Sequence, residues 1–470
     1  MTDNLISRPA AVRVRPAAEA QAQARRDRWA ADLLGTCAIA SLIFVAFIWV
    51  RDQGVASLFY LQTVAGSLGL LTGLLSAALM LVQTVMLARI PWVERAWGHD
   101  LLARRHKYAG YWSFWLMIAH VGLFAIQRVQ RDPGAAWSAL AHVFVLDSWM
   151  LWASIGTLMI TGMVATSIAY ARRRLRYESW HLLHLYSYLG MAFALPHMIA
   201  DGSDFHSPFM QAYWWGIYGL TLAMIVVFRV AWPLVRSWMH ELRVESVTHE
   251  LPGVVTITVR GRGLEALRTR SGQFFIWRFL GSPGFTRGHP YTISAAPTAD
   301  RLRVTIQAVG DGSARAQTVK PGARVIVEGP YGTMTDARRT QPKMLLMAAG
   351  VGITPIRALI EDTDYRPGEA DLVYRYTDDE HLIFRRELDE LAARRGVQVH
   401  YLPGRRAADG SWQAAGSQLD DKAALIDLVP DAAERDAFLC GPPPWLHAVK
   451  RSLRAAGVPA ARIHSEDFAW

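Results

Sequence analysis

The sequence predicts a multidomain membrane protein: an all-α bundle of six transmembrane helices, then a small antiparallel β-barrel, then an α/β domain. Three observations carry that expectation. Six apolar runs of about 20 residues or more, the length that crosses a bilayer, fill the first half of the 470-residue chain. Beyond about Arg236 the apolar runs become short and alternate with polar residues, bounded by Gly and Pro, which is the pattern of strands. Near Lys343 the pattern changes again, to a buried strand, a glycine turn and a helix. The overall hydrophobic fraction of 52% is thus an average over unlike halves.

The N-terminal arm, residues 1–28, is rich in Ala and Arg. It lacks the apolar run and small-residue cleavage site of a signal peptide, and is expected to be a flexible cytoplasmic tail. The six spans are expected at Trp29–Val50, Leu58–Ala88, Lys107–Gln127, Val143–Ala171, Ser179–Ala200 and Gln211–Trp232. One such run could be a buried core helix; six in series argue for a bilayer.

The formal net charge of +10 could mean nucleic acid, but its placement argues otherwise. One side of the bundle carries Arg8, Arg13, Arg15, Arg25, Arg26, Arg28, Arg89, Arg95, Arg104, Arg105, Lys107, Arg172, Arg173, Arg174 and Arg176. The other side carries only Arg51, Arg128 and Arg131. Fifteen against three places that side, and with it both termini, in the cytoplasm. A nucleic-acid partner is not expected; a lipid bilayer is. The two cysteines, Cys37 and Cys440, are too few for an iron–sulfur cluster or a four-thiolate zinc site.

Titratable rings inside a span are costly unless something satisfies them. The helix of the third span offers His106, just before its apolar run, and His120, fourteen apart, and the fifth holds His184 and His197, thirteen apart. At helical rise these spacings are about 20 Å, so each pair marks an inner and an outer level. The third and fifth spans run in the same direction. The pattern suits two b-type haems with bis-histidine ligation, His106 with His184 and His120 with His197. A spacing of thirteen misses the same helix face by about 140°, and Pro196, directly before His197, is expected to re-aim it. A lone membrane histidine more often bonds a neighbour; matched pairs on parallel helices reverse that balance.

From Leu242 the runs "VVTITVR", "QFFIWRF", "LRVTIQAV" and "RVIVEG" read as barrel strands. Among them lies "GHPYTISAAP", Gly288–Pro297, then "VGDGSARA", Val309–Ala316, and "EGPYG", Glu328–Gly332. The next stretch, "KMLLMAAGVGITPIRALI", lets Gly350 and Gly352 bring backbone to a pyrophosphate at a helix N-terminus, with the Thr354 hydroxyl beside it. "FLCGPPPWL" follows with Cys440 and Gly441.

Together these strings resemble the ferredoxin–NADP reductase relatives, and with the six spans and four histidines the chain resembles the ferric reductase and NADPH oxidase superfamily. The resemblance covers about Trp29–Trp470. It implies an FAD site in which Pro290, Tyr291, Thr292 and Ser294 line the flavin, His289 sits beside it, and Gly312 and Ser313 cradle the pyrophosphate. It implies a nicotinamide loop at Cys440 and Gly441, and an aromatic cover for the flavin face at Trp470, with Phe468 as the alternative. Arg375, Arg405 and Arg406, at strand ends, are candidates for the adenosine 2′-phosphate, favouring NADPH over NADH.

The implied domains are 1–28 tail, 29–236 haem-binding transmembrane domain, 237–340 FAD-binding β-barrel and 341–470 NAD(P)H-binding α/β domain. The implied activity is electron transfer from cytosolic NADPH through FAD and two haems to an extracytoplasmic acceptor. Molecular oxygen giving superoxide is the first expectation. A ferric chelate and an extracytoplasmic partner protein are the alternatives.

Overall fold

A computed structural model describes residues 17–168, 177–202, 207–282, 284, 287–407 and 410–466. Six helices in it are long and apolar enough to cross a membrane, at Arg25–Arg51, Leu61–Met86, Leu101–Arg131, Ser148–Ser167, Ser179–Ala200 and Pro208–Met239. The helical elements are α1 (Ala17–Arg51), α2 (Leu61–Met86), α3 (Pro91–Trp97), α4 (His99–Arg131), α5 (Ala136–Ala141), α6 (Ser148–Ser167), α7 (Tyr177–Asp201), α8 (Pro208–Ile225) and α9 (Trp232–Met239). Residues 17–28, expected in a flexible tail, are instead the first turns of α1. Their Ala, Gln and Arg content is strongly helix-forming, and α1 runs on without a break into the first span.

The chain divides into two compact units, one of residues 32–89 and 101–226, the other of residues 1–31, 90–100 and 227–469. In the first, Val45, Ile48, Leu74, Ala78, Leu81, Met210 and Trp214 form a core. Large apolar side chains such as Leu158, Leu220 and Trp149 face outward, as lipid-facing helices require. The helices α6 and α7 touch backbone to backbone: a Cβ at Gly156 would stand 2.5 Å from the Gly190 carbonyl oxygen, the close approach that small residues permit between membrane helices.

In the second unit the strands are β1 (Arg243–Leu251), β2 (Val254–Arg260), β3 (Phe274–Phe279), β4 (His289–Thr292), β5 (Arg301–Gln307) and β6 (Val325–Tyr331). They form two three-stranded antiparallel sheets, ordered β1-β2-β5 and β4-β3-β6. Isolated bridges at Arg243–Arg324 and Ile293–Val304 link them, so the ladders stop short of the closed barrel expected. The apolar face of both sheets is nonetheless shared, with Val255, Ile257, Phe275, Trp277, Val304 and Val327 in one core. A six-residue helix, α10 (Asp311–Ala316), follows β5.

The rest is a five-stranded parallel sheet, order β11-β10-β7-β8-β9, built from β7 (Met344–Ala349), β8 (Ala370–Arg375), β9 (Gln398–Leu402), β10 (Asp436–Cys440) and β11 (Ile463–Ser465). Its helices are α11 (Ile353–Asp362), α12 (Arg385–Arg395), α13 (Asp421–Leu428) and α14 (Pro443–Ala455). "MLLMAA" and "ADLVYR" are buried at every position, as central parallel strands covered on both faces must be.

Candidate functional site

The four span histidines meet in the pairs their spacing predicts. The His106 and His184 ring centres are 5.9 Å apart, and those of His120 and His197 are 6.3 Å apart. His106 Nδ1 lies 3.0 Å from the Gln83 carbonyl oxygen and His120 Nδ1 lies 2.8 Å from that of Gly69. His197 Nδ1 bonds the Ala194 carbonyl. The angular miss expected for His197 is taken up locally: α7 stays helical through Pro196, and the ring turns back onto Ala194. The Nδ1 of His184 is buried without a hydrogen-bond partner among the described residues; the Trp180 ring lies 5.2 Å away.

Haem fits these pairs. A metal–imidazole bond is about 2 Å and a ring centre lies about 1 Å behind its nitrogen, so two imidazoles on one metal put their centres about 6 Å apart. Among the described residues no three His, Cys, Asp or Glu side chains gather. Each pair therefore offers two nitrogens, the number that axial ligation of a macrocycle uses.

In the sheets that follow, His289 and Tyr291 rings stack at 6.1 Å on β4, and with Trp277, Gly312, Arg287 and Arg315 they line one cleft. Pro290 sits between them, opposite Ile276 in the ladder. A Cβ at Gly312 would stand 2.2 Å from the His289 ring, so only glycine allows that ring its place. Thr292, at the end of β4, is buried. Burial pushes the Tyr291 phenol upward, so it stays neutral across the physiological range.

Two hydroxyls expected at the flavin are committed elsewhere. Ser313 Oγ accepts from the backbone of Val309 and Gly310 and donates to the Gly310 carbonyl, closing the turn before α10. Ser294 is fully buried and accepts from Thr305 Oγ1 at 2.8 Å and Arg303 Nε at 3.2 Å. Arg303 also pairs with Glu387 at 2.9 Å. Glu387 pairs with Arg357 Nε at 2.8 Å, Arg357 bonds Glu361, and Glu361 accepts from the Ala296 amide at 2.7 Å. Sequence reading missed this network. Its only sequence signal is the i,i+4 spacing of Arg357 and Glu361, common to many surface helices.

At the nucleotide end, Gly350 takes φ +55° and a Cβ there would meet nothing within 4 Å, so the turn is open to a ligand. Gly352 is the opposite: a Cβ would lie 2.3 Å from the Cys440 carbonyl oxygen. The Gly350–Gly352 turn and the Cys440–Gly441 loop thus form one surface at the N-terminus of α11. The Thr354 hydroxyl donates to the Val351 carbonyl at 3.0 Å. The Cys440 thiol is buried, and that burial, reinforced by nearby Glu466, pushes it far above the usual thiol range, so it stays a neutral thiol. Glu466 accepts from the backbone of Thr333 and Met334, fixing the last described residues. Trp470 and Phe468 lie outside the described residues.

Arg375 is buried and gives its donors to the carbonyls of Tyr376 at 2.9 Å, Leu402 at 3.0 Å and Gly404 at 2.5 Å. Through Nη1 it ties β8 to the loop after β9, while its Nε is buried without a partner among the described residues. Arg406 donates to the Ser411 and Pro444 carbonyls. Arg405 is exposed and makes no side-chain hydrogen bond among the described residues.

Comparison with known proteins bears on both halves. Residues 72–195 match the family described as ferric reductase like transmembrane component, and residues 346–451 match the oxidoreductase NAD-binding domain. The chain is similar to the ferredoxin reductase component of 3-ketosteroid-9-alpha-monooxygenase from Mycolicibacterium smegmatis, 34% identical over 49% of this chain and 66% of that one. It is similar to a glycine betaine monooxygenase reductase subunit from Pseudomonas aeruginosa, 29% identical over 38% and 50%. Among solved structures it is similar to the FAD/NAD-binding domain of a Vibrio cholerae nitric oxide dioxygenase, at 22% identity and TM-score 0.39, covering 49% of this chain and 98% of that one. The chain spans between half and two thirds of the curated relatives it matches.

Proposed function

We propose an electron path for this chain, which joins a ferric-reductase-like transmembrane component to a ferredoxin-reductase-like FAD/NAD-binding half. Cytosolic NADPH, or NADH in its place, is the donor. FAD and two b-type haems are the carriers, and molecular oxygen on the far side of the membrane is the acceptor, reduced by one electron to superoxide. The observation that carries this reading is the meeting of His106 with His184 and of His120 with His197 at ring separations of 5.9 and 6.3 Å. The functional order is the one the sequence sets out, haem-binding spans, then FAD-binding sheets, then an NAD(P)H-binding α/β part, with both termini cytoplasmic.

FAD, when bound, accepts a hydride and passes on electrons singly, and the haems relay them. The side chains hold and orient. Tyr291 and Thr292 receive the flavin ring with His289 beside it. Backbone donors at Gly350–Gly352 and the α11 N-terminus hold the donor's pyrophosphate. The Cys440–Gly441 loop walls the nicotinamide, Arg405 meets the 2′-phosphate, and Trp470 covers the flavin until nicotinamide displaces it. The three histidines tied through Nδ1 each keep Nε2 as the free lone pair for a metal.

A second reading, delivery to a partner protein outside the membrane, is favoured by the relatives' description as reductase components of monooxygenases. A ferric chelate is the acceptor that the match of residues 72–195 favours. Anaerobic reduction of the purified protein with NADPH, then admission of air, tests the path. A b-type Soret and α-band should appear and then bleach in air with superoxide formed. Flavin bleaching with no haem band would leave the reductase reading standing and remove the haem path. Reduced haem that is stable in air would move the acceptor to the chelate or the partner.

A further inference from the structure

The second span supplies no histidine, yet it holds both ligands of the third. Gly69 and Gln83, whose carbonyls face His120 and His106 at 2.8 and 3.0 Å, are fourteen residues apart, as the two histidines are. The antiparallel helices α2 and α4 thus keep one register over the full distance between the haem levels. Gln83 lies in the last turn of α2, where carbonyls lose their helical partners: the Leu87 amide turns to Thr84 and Val85 instead. Gly69 lies mid-helix, so its carbonyl must accept a further bond through its second lone pair. It also shares the single hydrogen of the Thr72 hydroxyl, which lies 2.8 Å from the Leu68 carbonyl and 2.9 Å from that of Gly69.

Close approach at the outer level depends on missing side chains. A Cβ at Gly73 would stand 2.4 Å from His120 Nδ1 and 2.7 Å from Cε1. A Cβ at Gly69 would stand 2.9 Å from the Phe124 ring, itself 5.0 Å from His120. With Nδ1–H directed at a carbonyl, the tautomer is set and Nε2 is left as the ligating atom.

We propose that Gly73 is a positioning residue for the outer histidine pair alone: it clears the space in which His120 reaches the Gly69 carbonyl and so presents Nε2 to the metal. The proposal rests on the bis-histidine haem reading. Loss of the partner that orients a histidine ligand costs about 10–100-fold in metal affinity, which is enough to empty one site during purification.

The test uses the full chain in detergent as wild type, Gly73→Ala, Thr72→Val and, as a control in open space, Gly162→Ala. Haem per polypeptide and the midpoint potentials of the α-band are measured for each. Gly73→Ala should lose one of the two haems, or keep both with one potential moved. Thr72→Val should keep both while one potential falls, because the Gly69 carbonyl, still bonded within its helix, loses one competing donor and accepts more strongly from His120, whose ring becomes the stronger electron donor. Gly162→Ala should match wild type. Wild-type stoichiometry and both wild-type potentials in Gly73→Ala would overturn the proposal; if that variant does not fold, an unmoved pair of potentials in Thr72→Val does so. A haem-free wild type would instead overturn the haem reading beneath it.

Discussion

Arg405 stands exposed after β9; if it holds the 2′-phosphate as proposed, its replacement by Ala removes one charge-assisted contact worth about 1.5–3 kcal/mol. The KM for NADPH should rise about tenfold or more while that for NADH stays unchanged, measured as paired steady-state titrations. Arg375→Ala should behave differently. Its guanidinium serves carbonyls of Tyr376, Leu402 and Gly404, so the loss should lower the melting temperature and shift both KM values together. These two arginines look alike in sequence, each following a strand. Burial separates them, and burial depends on where the chain returns from β9, which no local pattern records.

The Arg303–Glu387–Arg357–Glu361 network fastens α11 and α12 to the strand end at Ser294 and Ala296. Burial works against ionising Glu387, but Arg303 and then Arg357 outweigh it and hold the carboxyl below its ordinary range. Arg303 is likewise held below its ordinary value, by burial first and by neighbouring Arg357 second, so the carboxylate is what lets two guanidiniums share the site. Glu387→Gln should cost about 1–3 kcal/mol, less than the roughly 3–5 kcal/mol of breaking a fully buried pair, since its side chain is 32% exposed. A carboxyl depressed by folding stabilises fully above its unfolded value and loses that stability as pH falls through the folded one. Wild-type melting should therefore fall away below about pH 4.3 more steeply than that of the variant; equal pH profiles would deny the network this role. Ser294 belongs to this fastening although its motif points to the flavin: the string marks the neighbourhood, and only the bridge of Ile293 to Val304, just past β4, decides which face the hydroxyl takes.

At the scale of the whole chain, the order of parts was legible because each rests on a period: apolar length for the spans, alternation for the sheets, strand–glycine–helix for the nucleotide fold. The histidine pairing was legible because four residues at two levels can match in few ways. Closure of the sheets, the commitment of Ser294, Ser313 and Arg375, and the clearance at Gly73 were not, because each depends on contacts between segments far apart in sequence. The same holds for the loop between the second and third spans. Residues 90–100 fold with the reductase unit: α3 packs on β6, Arg95 grips Asp27 through two bonds of 2.7 and 3.1 Å, and Trp92 meets Phe228 edge-on at 5.2 Å. Arg236 caps the Gly329 carbonyl and Ser237 the Val327 amide. A water-soluble piece begun at Leu242 would leave all of these behind and strip the outer edge of β6. In detergent, which covers the apolar end of the sixth span, it should melt lower than one begun at Val227 with residues 90–100 supplied as a separate peptide. The catalytic half of this protein therefore cannot be cut out with a single pair of scissors: its true boundary is stitched from three stretches of chain.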